Sequence, residues 1–284
     1  MSNNDQQIEY WNGEAGRRWA EHDSALERSL APITEALLAR VTVHQGMQVL
    51  DIGCGCGNQS MALAHRIGPQ GCITGIDVSA PMLERAKART AQPDSSRAPL
   101  SFLQADAATH DFGDARFDLL FSRFGVMFFA DPLVAFQNLH RACTPQARLL
   151  LCCWQSSMQN DWIHLPMQAA LRHVPAPPPT DPHAPGPFAF ADSTRVQTLL
   201  QGAGFSNIEL ESVQLGLCFA EAPTLAEAVQ MLVQMGPVGT VLAAHDKETR
   251  ARAREEICEA LEPYYINGRL MLPGAIWMVT GAAG

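Results

Sequence analysis

The sequence lacks several patterns that would restrict its function. None of its eight cysteines forms a CxxC pair, so the ligand spacing of zinc and iron–sulfur sites is missing and we expect no metal. Lysine and arginine number 20 against 29 aspartate and glutamate, and they form no basic run. The resulting formal charge of -9 repels a phosphate backbone, so nucleic acid is not expected as a partner.

Long apolar runs are scarce as well. The stretch LLFSRFGVMFF is short and is interrupted by Ser122 and Arg123, so we expect no membrane span. The opening MSNNDQQIEYW is polar and does not have the layout of a secretory signal. We therefore expect a cytoplasmic protein with reduced, mostly buried cysteines, and the sequence predicts no oligomeric state.

Short apolar strands alternate with helices through the middle of the chain. The alternation predicts an α/β fold with a mostly parallel sheet and helices on both faces. Two later strands are expected to pair at one edge, with the last strand antiparallel. The seven predicted strands are 48–52, 72–77, 100–103, 117–121, 148–154, 208–219 and 275–280.

Three segments of one domain follow from this pattern. Residues 1–44 are predicted to be helical, residues 45–155 to form the core, and residues 156–284 to complete it. Within the last segment, 174–187 is too rich in proline for a helix or a central strand. Residues 224–272 are expected to be mainly helical. Long irregular loops in compact domains are often lids, so we expect helical lid insertions here.

The strongest motif is the glycine-rich turn after the first strand. Its glycines are spaced Gly53-x-Gly55-x-Gly57, and Asp51 lies two residues before the first of them. Glycines let the chain turn tightly and approach a ligand closely. A dinucleotide needs positive potential for its pyrophosphate, whereas a carboxylate suits a cationic ligand such as S-adenosylmethionine.

Polar residues also follow the next three strands. Asp77 can accept hydrogen bonds from both hydroxyls of a ribose, and Asp106 can accept one from an adenine amino group. Ser122 and Arg123 end the fourth strand. All of these positions lie at the carboxyl edge of the sheet, where open α/β sheets bind ligands.

These residues, in this order, resemble the class I S-adenosylmethionine-dependent methyltransferases, in particular the branch that includes the ubiquinone and menaquinone C-methyltransferases. The core likeness runs over 49–154, and the stretches 10–13, 121–132 and 186–192 are similar to that branch too. The resemblance implies a Rossmann-like fold, S-adenosylmethionine as cofactor, and an N-terminal segment over the cofactor. The residues it implies for cofactor binding are Asp51, Gly53, Cys54 and Gly55 at the methionine end, Asp77 and Val78 at the ribose, Met82, Asp106 and Ala107 at the adenine, and Ser122. Cys56 and the pair Asn58-Gln59 depart from the family, which often has hydroxyl residues there.

The acceptor is expected to be a small, partly apolar molecule beneath the lid. Candidate pocket residues are Tyr10, Trp11, Arg123, Met127, Phe129, Trp162, Phe188 and Phe190. Phe188 and Phe190 could equally be core anchors, and Tyr10 and Trp11 could pack the first helix on the sheet. His110, His164 and His183 lie near loops, and His164 and Arg123 are the candidates for a catalytic role.

The predicted reaction is methyl transfer by in-line displacement. A sulfonium methyl is already activated, so the protein's task is positioning with water excluded. Two alternatives stay open: an NAD-dependent oxidoreductase with Asp77 on the ribose, and a non-catalytic S-adenosylmethionine-binding protein.

Overall fold

A computed structural model describes residues 4–92, 94–179 and 181–284, without the side chain of Met235. Three helices precede the first strand, and eight more follow. Their bounds are α1 Asp5–Asn12, α2 Glu14–Glu21, α3 Asp23–Arg40, α4 Asn58–Ile67, α5 Ala80–Thr90, α6 Pro132–Arg141, α7 Asp161–Ala170, α8 Ser193–Gly202, α9 Leu225–Met235, α10 Pro237–Ala243 and α11 Lys247–Leu261.

The described residues form one eight-stranded sheet. The strands are β1 Gln48–Ile52, β2 Cys72–Asp77, β3 Leu100–Gln104, β4 Phe117–Arg123, β5 Cys143–Trp154, β6 Ser206–Glu221, β7 Tyr265–Ile266 and β8 Arg269–Ala282. Their order is β3-β2-β1-β4-β5-β8-β6, with β7 paired to β8 alone. Strands β1 to β5 are parallel, and β8 runs antiparallel to both β5 and β6. This confirms the predicted sheet, including the edge pair and the antiparallel last strand.

The central strands are apolar because helices cover both faces of a parallel sheet. In β1, Val49, Leu50 and Ile52 are almost completely buried. The glycine-rich turn follows this strand directly, and α4 starts at Asn58. The most buried part of the sheet therefore fixes where that turn lies.

A second apolar cluster lies apart from the main core. It joins α7, α9 and α11 to the first half of β8, with Ala170, Val229, Ile257 and Leu270 fully buried. This cluster gives the helical insertion a core of its own. The insertion, which consists of α9, α10 and α11, is therefore a packed unit, and we name it the lid.

In the second half of the chain, two predicted element boundaries differ from the observed ones, and one strand is additional. The helical region ends at Tyr264 and not at 272, and β8 starts at Arg269 and not at 275. Strand β7 adds an eighth strand, because Asn267 and Gly268 make a two-residue hairpin with φ angles of 52° and 79°. Positive φ at both positions is the geometry that Asn-Gly favours. The signal was therefore present in the sequence.

The proline-rich stretch contains neither a regular helix nor a strand in its described part, and Thr180 lies outside the described residues. Over the described ranges, no single helix is long and apolar enough to cross a membrane. The bent pair α9–α10 passes that test on length and composition. Ala228, Val229, Leu232 and Leu242 of this pair are buried inside the protein.

Candidate active site

A cavity of about 650 Å³ runs along the carboxyl edge of the sheet. The strand order sets the order of its walls. Asp106 follows β3, Asp77 ends β2, Gly53 follows β1, Phe124 follows β4, and Trp154 ends β5. We name the part at β3, β2 and β1 the polar end, and the part at β4, β5 and β6 the aromatic end.

The glycine turn brings bare backbone to the polar end. Gly53 and Gly55 have φ angles of 66° and 54°, in the left-handed region that favours glycine. A Cβ on Gly53 would lie 2.5 Å from the Cα of Gly125, and one on Gly55 would lie 2.8 Å from the Met82 methyl. Gly53 is therefore required by space as well as by backbone angle, whereas Gly55 is required by its backbone angle, because the flexible Met82 side chain can move.

Asp77 lies beside this turn with its carboxylate held in place. One oxygen accepts the Gly55 N–H at 2.8 Å, and the other accepts the Ser79 N–H at 2.8 Å. Burial raises the pKa of Asp77, and the backbone hydrogen bonds from Ser79 and Gly55 oppose that shift. The carboxylate therefore faces the cavity in a fixed orientation, with lone pairs left for a ligand.

Asp51 does not line the cavity, which differs from the prediction. It is fully buried within β1, where one oxygen accepts a hydrogen bond from the Ser60 hydroxyl of α4. Its other oxygen accepts none from the described residues. Burial raises the pKa of Asp51 to about 7. The strand directs this side chain toward α4 and away from the ligand space.

Two other residues predicted to bind the cofactor are also placed outside the main cavity. The Ser122 hydroxyl is buried and donates to the Ile52 carbonyl at 2.7 Å, so it joins β4 to β1. Cys54 lines a small neighbouring cavity of about 70 Å³. Gly53, Gly55, Asp77, Val78, Met82, Asp106 and Ala107 do line the main cavity.

Helix α1 covers the polar end and is tied to its loops. The Asn12 amide donates to the Val78 carbonyl at 2.8 Å and accepts the Ala80 N–H at 3.0 Å. The Ser79 hydroxyl donates to the Trp11 carbonyl at 2.7 Å. Sequence reasoning expected a covering segment but missed Asn12, because an asparagine in a short helix carries no distinctive pattern.

Two more side chains near the start of the chain approach the polar end. Asn4 donates from its amide to the Asp106 carboxylate. Gln7 lines the cavity, and its side-chain oxygen is buried without a hydrogen-bond partner among the described residues. A buried acceptor without a partner is costly, which indicates that a ligand supplies the donor.

Arg123 lines the cavity but is fully engaged. Its guanidinium donates to both carboxylate oxygens of Glu27, at 3.1 and 2.8 Å, and to the Thr34 hydroxyl. Only 8% of the side chain is exposed. The arginine fixes α3 against β4, and its geometry does not suit the proton transfer for which it was a candidate.

Stacked rings form the aromatic end. Phe124 lies on Trp154 with centroids 4.3 Å apart and planes 9° apart. Trp162 lies 5.2 Å from Trp154 and stacks on Phe219 at 5.4 Å. Phe124 has a φ of 68°, unusual for a residue other than glycine, and its N–H donates to the Cys152 carbonyl at 2.9 Å. Phe124, Trp154 and Phe219 were missed, since in sequence they look like core residues of strands.

The predicted acceptor residues divide into two groups. Tyr10, Trp11, Arg123, Met127, Phe129 and Trp162 line the cavity. Phe188 and Phe190 do not line it: Phe190 is 1% exposed with its ring 6.1 Å from that of Phe136. They pack as core anchors, the alternative that the sequence left open.

None of the predicted histidines lines the cavity. The His110 ring packs on Phe112 at 4.8 Å, and His164 and His183 lie outside the wall. His22, which sequence reasoning missed, does line it. The described part of the chain contains no group of three or more residues suited to hold a metal ion.

Residues 49–146 match the family model described as a methyltransferase domain. The chain therefore contains a segment similar to methyltransferase domains. The matched residues contain β1 from Val49, β2 to β4, the glycine turn and Asp77, and therefore the strand ends of the polar end but not α1. The aromatic end lies largely outside the match, and so the family model describes only half of the site.

Curated relatives match less than half of the chain. An uncharacterised protein of Mycobacterium tuberculosis is 33% identical over 138 residues, which are 48% of this chain and 48% of that protein. A demethylmenaquinone methyltransferase of Staphylococcus aureus is 34% identical over 115 residues, which are 40% of this chain and 45% of that protein. The chain thus spans about half the length of the curated relatives that it matches.

Solved structures share the fold of the methyltransferase domain. A phosphoethanolamine N-methyltransferase of Haemonchus contortus in complex with S-adenosylmethionine has a TM-score of 0.58 at 18% identity, over 99% of this chain and 60% of that one. The YcgJ protein of Bacillus subtilis has a TM-score of 0.55 at 16% identity, over 89% of this chain and 98% of that one. At these identities the likeness establishes the fold.

Proposed function

We propose that this protein is an S-adenosylmethionine-dependent methyltransferase that methylates a small, partly apolar molecule. The observation that carries the proposal is Asp77, a carboxylate fixed by the N–H groups of Gly55 and Ser79 beside a glycine turn. That turn lies inside the part of the chain that matches the methyltransferase family. The cofactor would occupy the polar end and the acceptor the aromatic end.

The residues present fit the cofactor. Asp77 would accept the ribose hydroxyls, and Asp106 the adenine amino group, with Met82 and Ala107 beside the ring. Gly53 and Gly55 line the cavity with backbone and carry no side chain that would stand in the way of a ligand. The unpaired oxygen of Gln7 needs a hydrogen-bond donor that a nucleoside can provide.

When bound, S-adenosylmethionine supplies an activated methyl group, and the chain's own residues orient the partners and exclude water. The stacked rings of Phe124 and Trp154 line the cavity. Leu232, Pro237 and Val241 of the lid close the cavity with apolar side chains. An apolar enclosure favours a compact acceptor over a protein surface.

The geometry of the cavity supports the two alternative functions, an NAD-dependent oxidoreductase and a non-catalytic binding protein, less well. An NAD-dependent enzyme needs room and positive potential for a pyrophosphate at the glycine turn. At that turn the Asp77 carboxylate accepts the Gly55 N–H, which places negative charge where a pyrophosphate would lie. A non-catalytic binding protein would need no aromatic end beside the polar end, so the stacked rings along the cavity favour an enzyme.

Isothermal titration calorimetry with S-adenosylmethionine, S-adenosylhomocysteine and NAD tests the proposal. We expect the first two ligands to bind with 1:1 stoichiometry and NAD to give no heat of binding. Binding of NAD without a response to either methyl-cycle ligand would refute it. Binding of all three would leave the fold assignment intact but would remove the argument against the oxidoreductase.

A further inference from the structure

The two ends of the cavity differ in charge. Among the described residues that line it, the only carboxylates are Asp77 and Asp106, and both lie at the polar end. The basic side chains of the wall are Arg18, His22 and Arg123. Arg123 is neutralised by its two-point contact with Glu27. Arg18 therefore supplies the uncompensated positive charge of the wall, and both Arg18 and His22 are exposed where they line it.

Arg18 and His22 lie one helical turn apart, at the end of α2. Residues four apart share one face of a helix, so both side chains can meet one ligand. The Arg18 guanidinium donates to the Gln234 carbonyl of α9 at 3.4 Å, which places it at the seam between α2 and the lid. Among the described residues, no carboxylate forms an ion pair with Arg18 or His22.

The aromatic end offers flat, apolar walls. The stacked pairs Phe124–Trp154 and Trp162–Phe219 present ring faces, and aromatic ligands pack well against such faces. A cationic amine would enter a space without a carboxylate to pair with, which is unfavourable in an apolar cavity. A carboxylate would find a guanidinium able to donate two parallel hydrogen bonds.

We propose that the acceptor is a flat aromatic molecule carrying a carboxylate, with its ring among the stacked side chains and its carboxylate at Arg18 and His22. The inference rests on the proposed function and adds the charge and shape of the acceptor to it. Arg18 is a binding residue in this scheme. The methylated atom is left open, because the anchor fixes only the far end of the molecule.

Three probes with the same ring test the proposal: 2-naphthoate, 2-naphthalenemethanol and 2-naphthylmethylammonium. Each is titrated by calorimetry into the full chain saturated with S-adenosylhomocysteine. We expect 2-naphthoate to bind about tenfold or more tightly than the alcohol, and the ammonium to bind most weakly. Arg18→Gln should weaken 2-naphthoate binding about tenfold and leave the alcohol unchanged.

Arg17→Gln is the matched control, because Arg17 is the neighbouring arginine on α2, is exposed like Arg18, and does not line the cavity. The proposal is overturned if the alcohol or the ammonium binds as tightly as 2-naphthoate, if Arg17→Gln has the same effect as Arg18→Gln, or if none of the probes binds. The initial titration with S-adenosylhomocysteine distinguishes a failure of the proposed function from a failure of this inference. Its failure would count against the proposed function, whereas a loss of the anion preference alone would count only against this inference.

Discussion

At the scale of single residues, Asp77 shows how the backbone prepares a ligand site. Two N–H groups hold its carboxylate before a ligand binds, so little rearrangement is needed on binding. We predict that Asp77→Ala weakens S-adenosylmethionine binding about 100-fold or more, because a hydrogen bond to a charged group contributes about 1.5–3 kcal/mol. Calorimetry measures the loss. Asp114→Ala, at an exposed position, is the control, and an unchanged affinity in a folded Asp77→Ala protein would refute the role.

Gln7 is a second residue whose contribution to cofactor binding can be measured separately. Its buried oxygen has no partner in the described structure, so a bound cofactor is expected to supply the donor. We predict that Gln7→Leu weakens cofactor binding about fivefold to tenfold, the value of one hydrogen bond, and leaves the melting temperature of the free protein unchanged or slightly raised. The neighbouring Gln6→Leu, exposed on the same helix, should leave affinity unchanged. Equal affinities of the two variants would contradict the assignment.

At the scale of elements, α1 behaves as a cover attached through one side chain. Asn12 bonds both Val78 and Ala80, the residues that follow Asp77 in the loop. We predict that Asn12→Ala mainly accelerates cofactor dissociation, because the cover is released while the sheet edge keeps its geometry. Stopped-flow displacement of a fluorescent cofactor analogue measures the rate. A slower association rate with unchanged dissociation would show that α1 does not act as a cover.

The elements whose bounds were predicted correctly are those that one strong pattern in the sequence marks. Strands β1 and β2 were predicted residue for residue, because apolar runs end in Gly-rich or Asp-containing turns. Strand β8 was predicted too short, because Pro273 and Gly274 interrupt the apolar pattern. Pro273 is tolerated since β5 pairs with β8 only from Ile276 onward, which leaves that stretch with a single neighbour.

The sequence predicted the part of the candidate site whose residues directly follow a strand in the chain. The polar end comes from loops that follow β1, β2 and β3, and the sequence order reveals them. The aromatic end assembles Phe124 after β4, Trp154 at the end of β5 and Phe219 of β6, and in the sheet β8 lies between β5 and β6. Single-sequence periodicity cannot distinguish such rings from core residues, and the position of His22 depends on how α2 packs.

At the scale of the whole molecule, Asp51 couples stability to pH. Its pKa is about 7 in the folded protein and near the ordinary 3.8 when unfolded, so the folded state binds one more proton between these values. Stability is therefore expected to decrease as pH rises from 4 toward 7, by an amount on the order of a few kcal/mol.

Asp51→Asn should flatten this dependence and make the protein more stable than the wild type above pH 7. Urea unfolding at several pH values measures the effect, with activity-independent readout by circular dichroism. Identical slopes in wild type and variant between pH 4 and 7 would show that Asp51 is not the group responsible.

The left-handed backbone at Phe124 has a consequence for which side chains the position can accept. A β-branched residue at positive φ brings a second γ atom against its own backbone, whereas leucine keeps its branch one carbon further out. Phe124→Ile and Phe124→Leu remove the same ring and add the same number of carbons, so the difference between them isolates backbone strain. We expect the isoleucine variant to be the less stable by roughly 1 kcal/mol in denaturant unfolding. Two isomers of equal hydrophobicity would then be distinguished by one dihedral angle at the centre of the site.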